Sequence, residues 1–178
     1  MIKNLIPIFI WWLYLLGLGI LFLPLTFVFF KKFFDYGYAL AKIIGILLLS
    51  YITWLLGSLK ILPFTNWGLW LIIGFLFLFN FLILKKQKIK DKWRIFIFEE
   101  TLFFICLTVW SFIRGFQPEI HGLEKFMDFG FVNSLLRSQF FPPTDMWLAG
   151  QNINYYYFGH LVTAVLTKLS GLDSAITY

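Results

Sequence analysis

Apolar residues fall along this chain in long blocks, parted by short groups of cations, prolines and small polar residues. Crossing a hydrocarbon core of ~30 Å takes roughly 20 helical residues, and the blocks at 5–30, 41–59, 67–84 and 95–113 come close to or exceed that length. A shorter block at 155–169 reads as a fifth span. Gly17, Gly19 and Pro24 lie within the first block, which is too long for a signal-peptide core and lacks an A-x-A type cleavage site, so it is read as a retained helix. Trp11, Trp12, Trp67, Trp70 and Trp110 stand near block ends, where amphipathic rings settle at the headgroup level. The pattern predicts an all-α, polytopic transmembrane helical protein with about five spans.

Between 114 and 154 the pattern changes. At about 100° per residue, a helix over 124–138 gathers Gly130, Asn133, Ser134, Arg137 and Ser138 on one side and Phe129, Phe131, Val132, Leu135 and Leu136 on the other. This is an amphipathic helix expected to lie on the membrane surface. Pro142 and Pro143 then forbid helix and force an extended turn ahead of Asp145, and Trp147 anchors the return to the interface. After 155–169, Gly171 reads as a helix C-cap and Asp173 or Ser174 as the N-cap of a further helix begun within 170–178. The expectation is an amino-terminal fragment whose partners include the rest of the same protein beyond Tyr178.

Composition agrees with a membrane setting: 60% of residues are hydrophobic, 22% aromatic and 13% charged. The formal charge of +6 does not point to nucleic acid, because the cations sit between apolar blocks, where they meet anionic lipid. Lys85, Lys86, Lys88, Lys90, Lys92 and Arg94 form the strongest cytoplasmic signal. Alternation of spans adds Lys31, Lys32, Lys42 and Lys168 to that side and leaves Lys3, Lys60, Arg114, Lys125 and Arg137 opposite, ten against five. The loop 114–154 is therefore expected outside the cytoplasm of a cell (plasma) membrane protein. The basic run is a topology determinant and lipid contact, and the lone Cys106 reads as a small buried hydrophobe.

Candidate chemistry concentrates in that loop. Asp128 projects between Val132 and Leu135, and Glu124 between Leu135 and Phe131, so two carboxylates share the apolar arc of the surface helix. A desolvated carboxylate needs a cation, a metal or donors, or else works with a raised pKa. The alternatives are two first-turn acids favoured by the helix dipole, or Asp128 as the cap of a shorter helix. Asp145 is a third acid or a turn residue. Gln151, Asn152 and Asn154 offer amides, while Tyr155, Tyr156 and Tyr157 point three ways around a helix, so at least one hydroxyl meets protein or ligand. His160 reads as a helix–helix hydrogen bonder or a ligand. Glu99 and Glu100 lie inside the fourth block, close enough to pair with Lys92 or Arg94. With two histidines, His121 and His160, the chain shows no metal-ligand spacing, glycine-rich phosphate loop or nucleophile elbow.

The run EKFMDFGFVNSLLRSQFFPPTDMWLAGQNINYYYFGH at 124–160 resembles the signature of uncharacterised polytopic membrane proteins named for a Tyr-Tyr-Tyr motif. DYGYALAKIIGILLLSYITWLLGSLKILPF at 35–64 resembles that family's earlier helices. The layout is in turn similar to the C-type glycosyltransferases, which use lipid-phosphate sugars. The resemblance implies a polyprenyl-phosphate sugar as partner beside membrane lipid. It also implies Glu124 or Asp128 as base or metal-binding acid, with Asp145 as reserve, and leaves a divalent metal cofactor open. Lys125, Arg137 and His160 become phosphate-side groups, with Asn152, Asn154 and Tyr155 to Tyr157 lining the substrate groove. Those enzymes carry adjacent acids in this loop, whereas Glu124 and Asp128 stand four apart, so the base is not assigned. A transporter or lipid-handling protein would be expected to show an internal repeat and midplane polar groups, and a non-catalytic assembly subunit would use the loop for docking.

Overall fold

The computed structural model describes residues 2–84, 92–122 and 124–178. Lys85, Lys86, Lys88 and Lys90 of the basic run lie outside them. Among the described residues the regular structure is helical: α1 (Ile2–Phe29), α2 (Tyr38–Ser58), α3 (Asn66–Leu84), α4 (Trp93–Gly115), α5 (Lys125–Arg137), α6 (Phe158–Ser170) and α7 (Ser174–Thr177). Four of these are long and apolar enough to cross a membrane: Leu5–Phe29, Tyr38–Ser58, Asn66–Ile83 and Trp93–Gly115. Helix α2 starts earlier than its apolar block because Asp35, 4% exposed, accepts hydrogen bonds from the amides of Gly37 and Ala39 at 3.0 Å each. Those bonds satisfy amides that the first turn leaves without partners.

The chain divides into two compact units, Met1–Leu47 with Ile73–Pro118, and Leu48–Ile72 with Glu119–Tyr178. In the first unit α1 and α4 pack together and the start of α2 lies close against α1. A side chain at Gly45 would reach Phe22 at 3.0 Å and the Leu18 carbonyl at 3.3 Å, so glycine is what lets these helices approach. Glu100 lies between them. It accepts from Trp12 Nε1 and from the Tyr38 hydroxyl at 2.6 Å each, and pairs with Lys42. This corrects the expected pairing with Lys92 or Arg94. Lys92 instead donates to the carbonyl of Phe34 and lies over the Tyr36 ring.

In the second unit α5 packs on α6, and α7 rests against both. Phe131, Val132 and Leu135 of α5 and Leu161, Ala164, Val165 and Leu169 of α6 are buried, as are Phe64, Phe141 and Ile153 of the same unit. The apolar stripe of α6 is thus a core face, and this alters the expected fifth span. Helix α6 has 13 residues, which at 1.5 Å rise is about 20 Å, short of a ~30 Å hydrocarbon core. Tyr155 to Tyr157 precede the helix, and Gly171 ends it in the left-handed conformation at φ 66°. Lys168, in its last turn, donates to the carbonyls of Phe64 and Leu136 at 2.7 and 3.0 Å. Phe64 belongs to the connector that carries Lys60, so Lys168 groups with Lys60 and the expected cation balance would become nine to six.

Candidate functional site

The site is built on the facing first turns of α5 and α6, within the second unit. Glu124 occupies the N-cap position of α5 but makes no side-chain cap bond and is exposed. One turn on, Asp128 shares the face of Val132 and Leu135 and so points toward α6. Its Oδ1 lies 3.5 Å from Nε2 of His160, with the side chains 27% and 17% exposed. The two acids therefore part company. Asp128 faces a partner, whereas Glu124 sits where the helix dipole favours a carboxylate.

Two rings bracket His160: Phe131 edge-on at 5.3 Å and Tyr156 nearly parallel at 6.2 Å. Burial pushes the His160 pKa below 6.5, and the charge of Asp128 opposes that shift. Burial thus favours the neutral imidazole, in which one nitrogen is left to accept a proton.

The three tyrosines split. Tyr157 turns inward, where its hydroxyl accepts from Trp54 Nε1 at 3.0 Å and its ring lies 6.4 Å from that of Phe141. Tyr155 and Tyr156 stay exposed with centroids 4.0 Å apart. A hydrogen bond to Tyr155, some burial, and the charges of Tyr155, Glu124 and Asp128 raise the Tyr156 hydroxyl above its ordinary pKa. That ring stands over the dyad.

Beside the dyad the chain closes into a hairpin-like loop. Thr144 and Asn152 form an antiparallel bridge, the Asp145 amide donates to the Gln151 carbonyl at 2.9 Å, and the Ile153 amide to the Pro143 carbonyl at 2.9 Å. Asp145 braces this turn through Oδ1, which accepts from the amides of Trp147 and Leu148 at 2.7 and 2.9 Å. Of its two readings, the geometry is that of the turn residue. The Ser134 hydroxyl donates to the Thr144 carbonyl, which ties the loop to α5. Ser134 is buried, not on the solvated side expected of it. A side chain at Gly130 would meet Met146 Sδ at 2.6 Å, so the Met146 side chain lies directly against the helix there.

The loop and α5 enclose an open groove of about 470 Å³ lined by Phe131, Trp147, Gln151, Asn152, Asn154 and Tyr155, with Asp145, Leu148, Ala149 and Ile153 completing the wall. The dyad and the groove share Phe131, whose ring is 5.3 Å from His160, 6.3 Å from Tyr155 and 6.2 Å from Trp147.

Other site residues lie apart. Arg137 is exposed at the far end of α5, nine residues from Asp128, which is about 13 Å along the axis. Lys125 is half-exposed one turn before Asp128. Among the described residues no group of three or more His, Cys, Asp or Glu side chains is placed to hold a metal ion. Asp128 and His160 make only two donors, so this donor set does not fit a metal centre. Phe131 and Trp54 were not legible as site residues. Each reads along its own helix as one more apolar position, and nothing in the spacing signals the tertiary contact.

Four helices long and apolar enough to span a bilayer define a polytopic α-helical membrane protein. The family model described as uncharacterised membrane protein (DUF2298) matches residues 48–178, and the chain belongs to that family. The match takes in the whole of the second unit, dyad and groove included. Neither a curated protein nor a solved structure matches the chain.

Proposed function

We propose that this chain carries the acceptor-activating site of a membrane glycosyltransferase that draws its sugar from a polyprenyl-phosphate donor. The observation that supports this reading best is Asp128, half-buried against His160, whose ring neighbour Phe131 also lines a groove of amides and rings. The acceptor hydroxyl gives its proton to Asp128, while His160 holds that carboxylate in place and offers a second proton acceptor. The acceptor oxygen forms a bond to the anomeric carbon. The bond from that carbon to the phosphate oxygen breaks, and the electron pair leaves on the lipid phosphate. That leaving group is acidic enough to need compensating charge rather than a proton. Lys125, one turn from Asp128, is the nearer of the two cations on α5, and Arg137 is too distant to share the role.

In this reading the loop 114–154 faces the extracytoplasmic side of the cell membrane, supported by the nine-to-six cation balance. The test is turnover of radiolabelled polyprenyl-phosphate sugars by the full chain in membranes. Transfer that falls at least about 100-fold in Asp128→Asn is expected for loss of a general base. No turnover with any such donor, or turnover indifferent to Asp128→Asn, would sink the proposal.

A further inference from the structure

We infer that the groove at 145–155 binds an uncharged saccharide, which names the acceptor class and in that respect rests on the glycosyl-transfer reading. The lining is specific in its chemistry. Its one carboxylate, Asp145, accepts from the amides of Trp147 and Leu148 through Oδ1, and among the described residues no lysine or arginine lines the wall. A phosphate or other anion would meet no countercharge there, so the donor's phosphate belongs elsewhere. What the groove does present is Gln151, Asn152 and Asn154, each able to donate and accept, among the rings of Phe131, Trp147 and Tyr155.

Pyranoses ask for that combination: hydroxyls that both donate and accept around the ring edge, and apolar C–H faces that lie on aromatic rings. The space of about 470 Å³ falls in the range of roughly 300–1,000 Å³ typical of small-ligand sites. A peptide adding as a strand would need free backbone groups, yet the amides of Asp145, Gln151 and Ile153 and the carbonyls of Pro143 and Gln151 are already paired within the loop. The same pairing, with the Ser134 tie to Thr144, holds the wall in shape before any ligand arrives. Phe131 lines the groove and its ring lies 5.3 Å from that of His160, so the groove and the dyad share one wall residue.

The experiment is ligand-observed saturation-transfer NMR with isothermal titration, on the full chain in phospholipid nanodiscs. Sugar-headed detergents are avoided because they would compete. Maltose, cellobiose and N,N′-diacetylchitobiose are the probes, with inorganic phosphate as the anionic counter-probe. At least one disaccharide is expected to bind at millimolar concentration, with affinity lowered about tenfold in Trp147→Ala and severalfold to tenfold in Asn152→Ala, as loss of a stacking ring or a hydrogen bond implies. Trp147 contributes to the turn through its backbone amide, so truncating the side chain leaves that bond in place. Absence of binding by all three, binding unchanged in both variants, or phosphate bound in preference would overturn the assignment. Saccharide binding without any transfer would support the groove and count against the transferase. Transfer unaffected by Trp147→Ala and Asn152→Ala would do the reverse.

Discussion

Lys168 Nζ lies 2.7 Å from the carbonyl oxygen of Phe64, across 104 residues of chain, and its ammonium stands 4.0 Å from the centroid of the Phe64 ring. A second bond, to the Leu136 carbonyl, makes this one side chain the fastener between α6, the end of α5 and the connector after α2. Replacing it by methionine keeps the volume but leaves two carbonyls without their donor. Hydrogen bonds from a charged group contribute ~1.5–3 kcal/mol each, so Lys168→Met is expected to lower the melting temperature by roughly 5 °C or more. Burial pulls the Lys168 pKa down from 10.5 to about 8. The sign follows from linkage: the desolvation penalty is felt in full below pH 8 and fades as pH rises toward 10.5. The melting difference between wild type and Lys168→Met, followed from pH 7 to 10.5, checks this. A difference that stays flat would refute the burial of the charge.

His160 gives the opposite end of the pH scale. Its folded pKa lies below the unfolded value of 6.5, so the stability it contributes is present above 6.5 and is lost as pH falls through the folded pKa. The same protonation places a cation against Asp128 and withdraws the carboxylate from proton transfer. Transfer activity should therefore hold at neutral pH and decline as pH falls through the folded pKa of His160, below 6.5. In His160→Gln that decline should shift or vanish. An acid limb identical in wild type and His160→Gln would remove His160 from the mechanism.

The tyrosine triplet separates structure from surface. Tyr157→Phe deletes the acceptor for Trp54 Nε1, a net loss of ~0.5–1.5 kcal/mol, with a further penalty where the indole is left unpaired in the interior. Tyr155→Phe and Tyr156→Phe change exposed side chains and should stay within about 0.5 kcal/mol in stability. Thermal unfolding of the three variants in nanodiscs measures the contrast. Equal losses in all three would mean that the inward turn of Tyr157 carries no weight.

Much of this was legible in the sequence, and the remainder failed for identifiable reasons. The four long helices follow from block length and hydropathy alone, because a bilayer imposes both. The arc that carries Asp128 follows from the helical period. The partner of Asp128 does not, since His160 lies 32 positions away and only the packing of α5 on α6 brings the two together. Glu100 failed in the same way: Lys92 and Arg94 are near in sequence, but Lys42, 58 positions earlier, is the residue that meets it. The block at 155–169 misled because the apolar stripe of a short core helix and that of a lipid-facing helix look alike until burial separates them.

Orientation can be read with one introduced thiol. Ala149 is exposed in the loop, and Cys106 is the one native cysteine. Ala149→Cys in a Cys106→Ser background should react with a membrane-impermeant maleimide on intact cells. Labelling only after permeabilisation would turn the topology over and move the dyad to the cytoplasmic side.

The intramembrane pair supplies the sharpest test of packing. Lys42 and Glu100 have side chains 7% and 13% exposed, and Glu100 also receives Trp12 and Tyr38, so its oxygens are well supplied with donors. Removing one partner of a buried pair strands a charge and costs ~3–5 kcal/mol, whereas replacing both by apolar residues of similar size is often neutral. Glu100→Met and Lys42→Met should each destabilise the protein severely, and the double variant should recover most of the loss despite leaving Trp12 and Tyr38 without their acceptor. Because the double variant loses less than either single one, the coupling energy from unfolding the four forms in the cycle should be at least as large as one single loss, ~3–5 kcal/mol. Additive losses would mean that the two charges are solvated separately and that the helices meet without the pair.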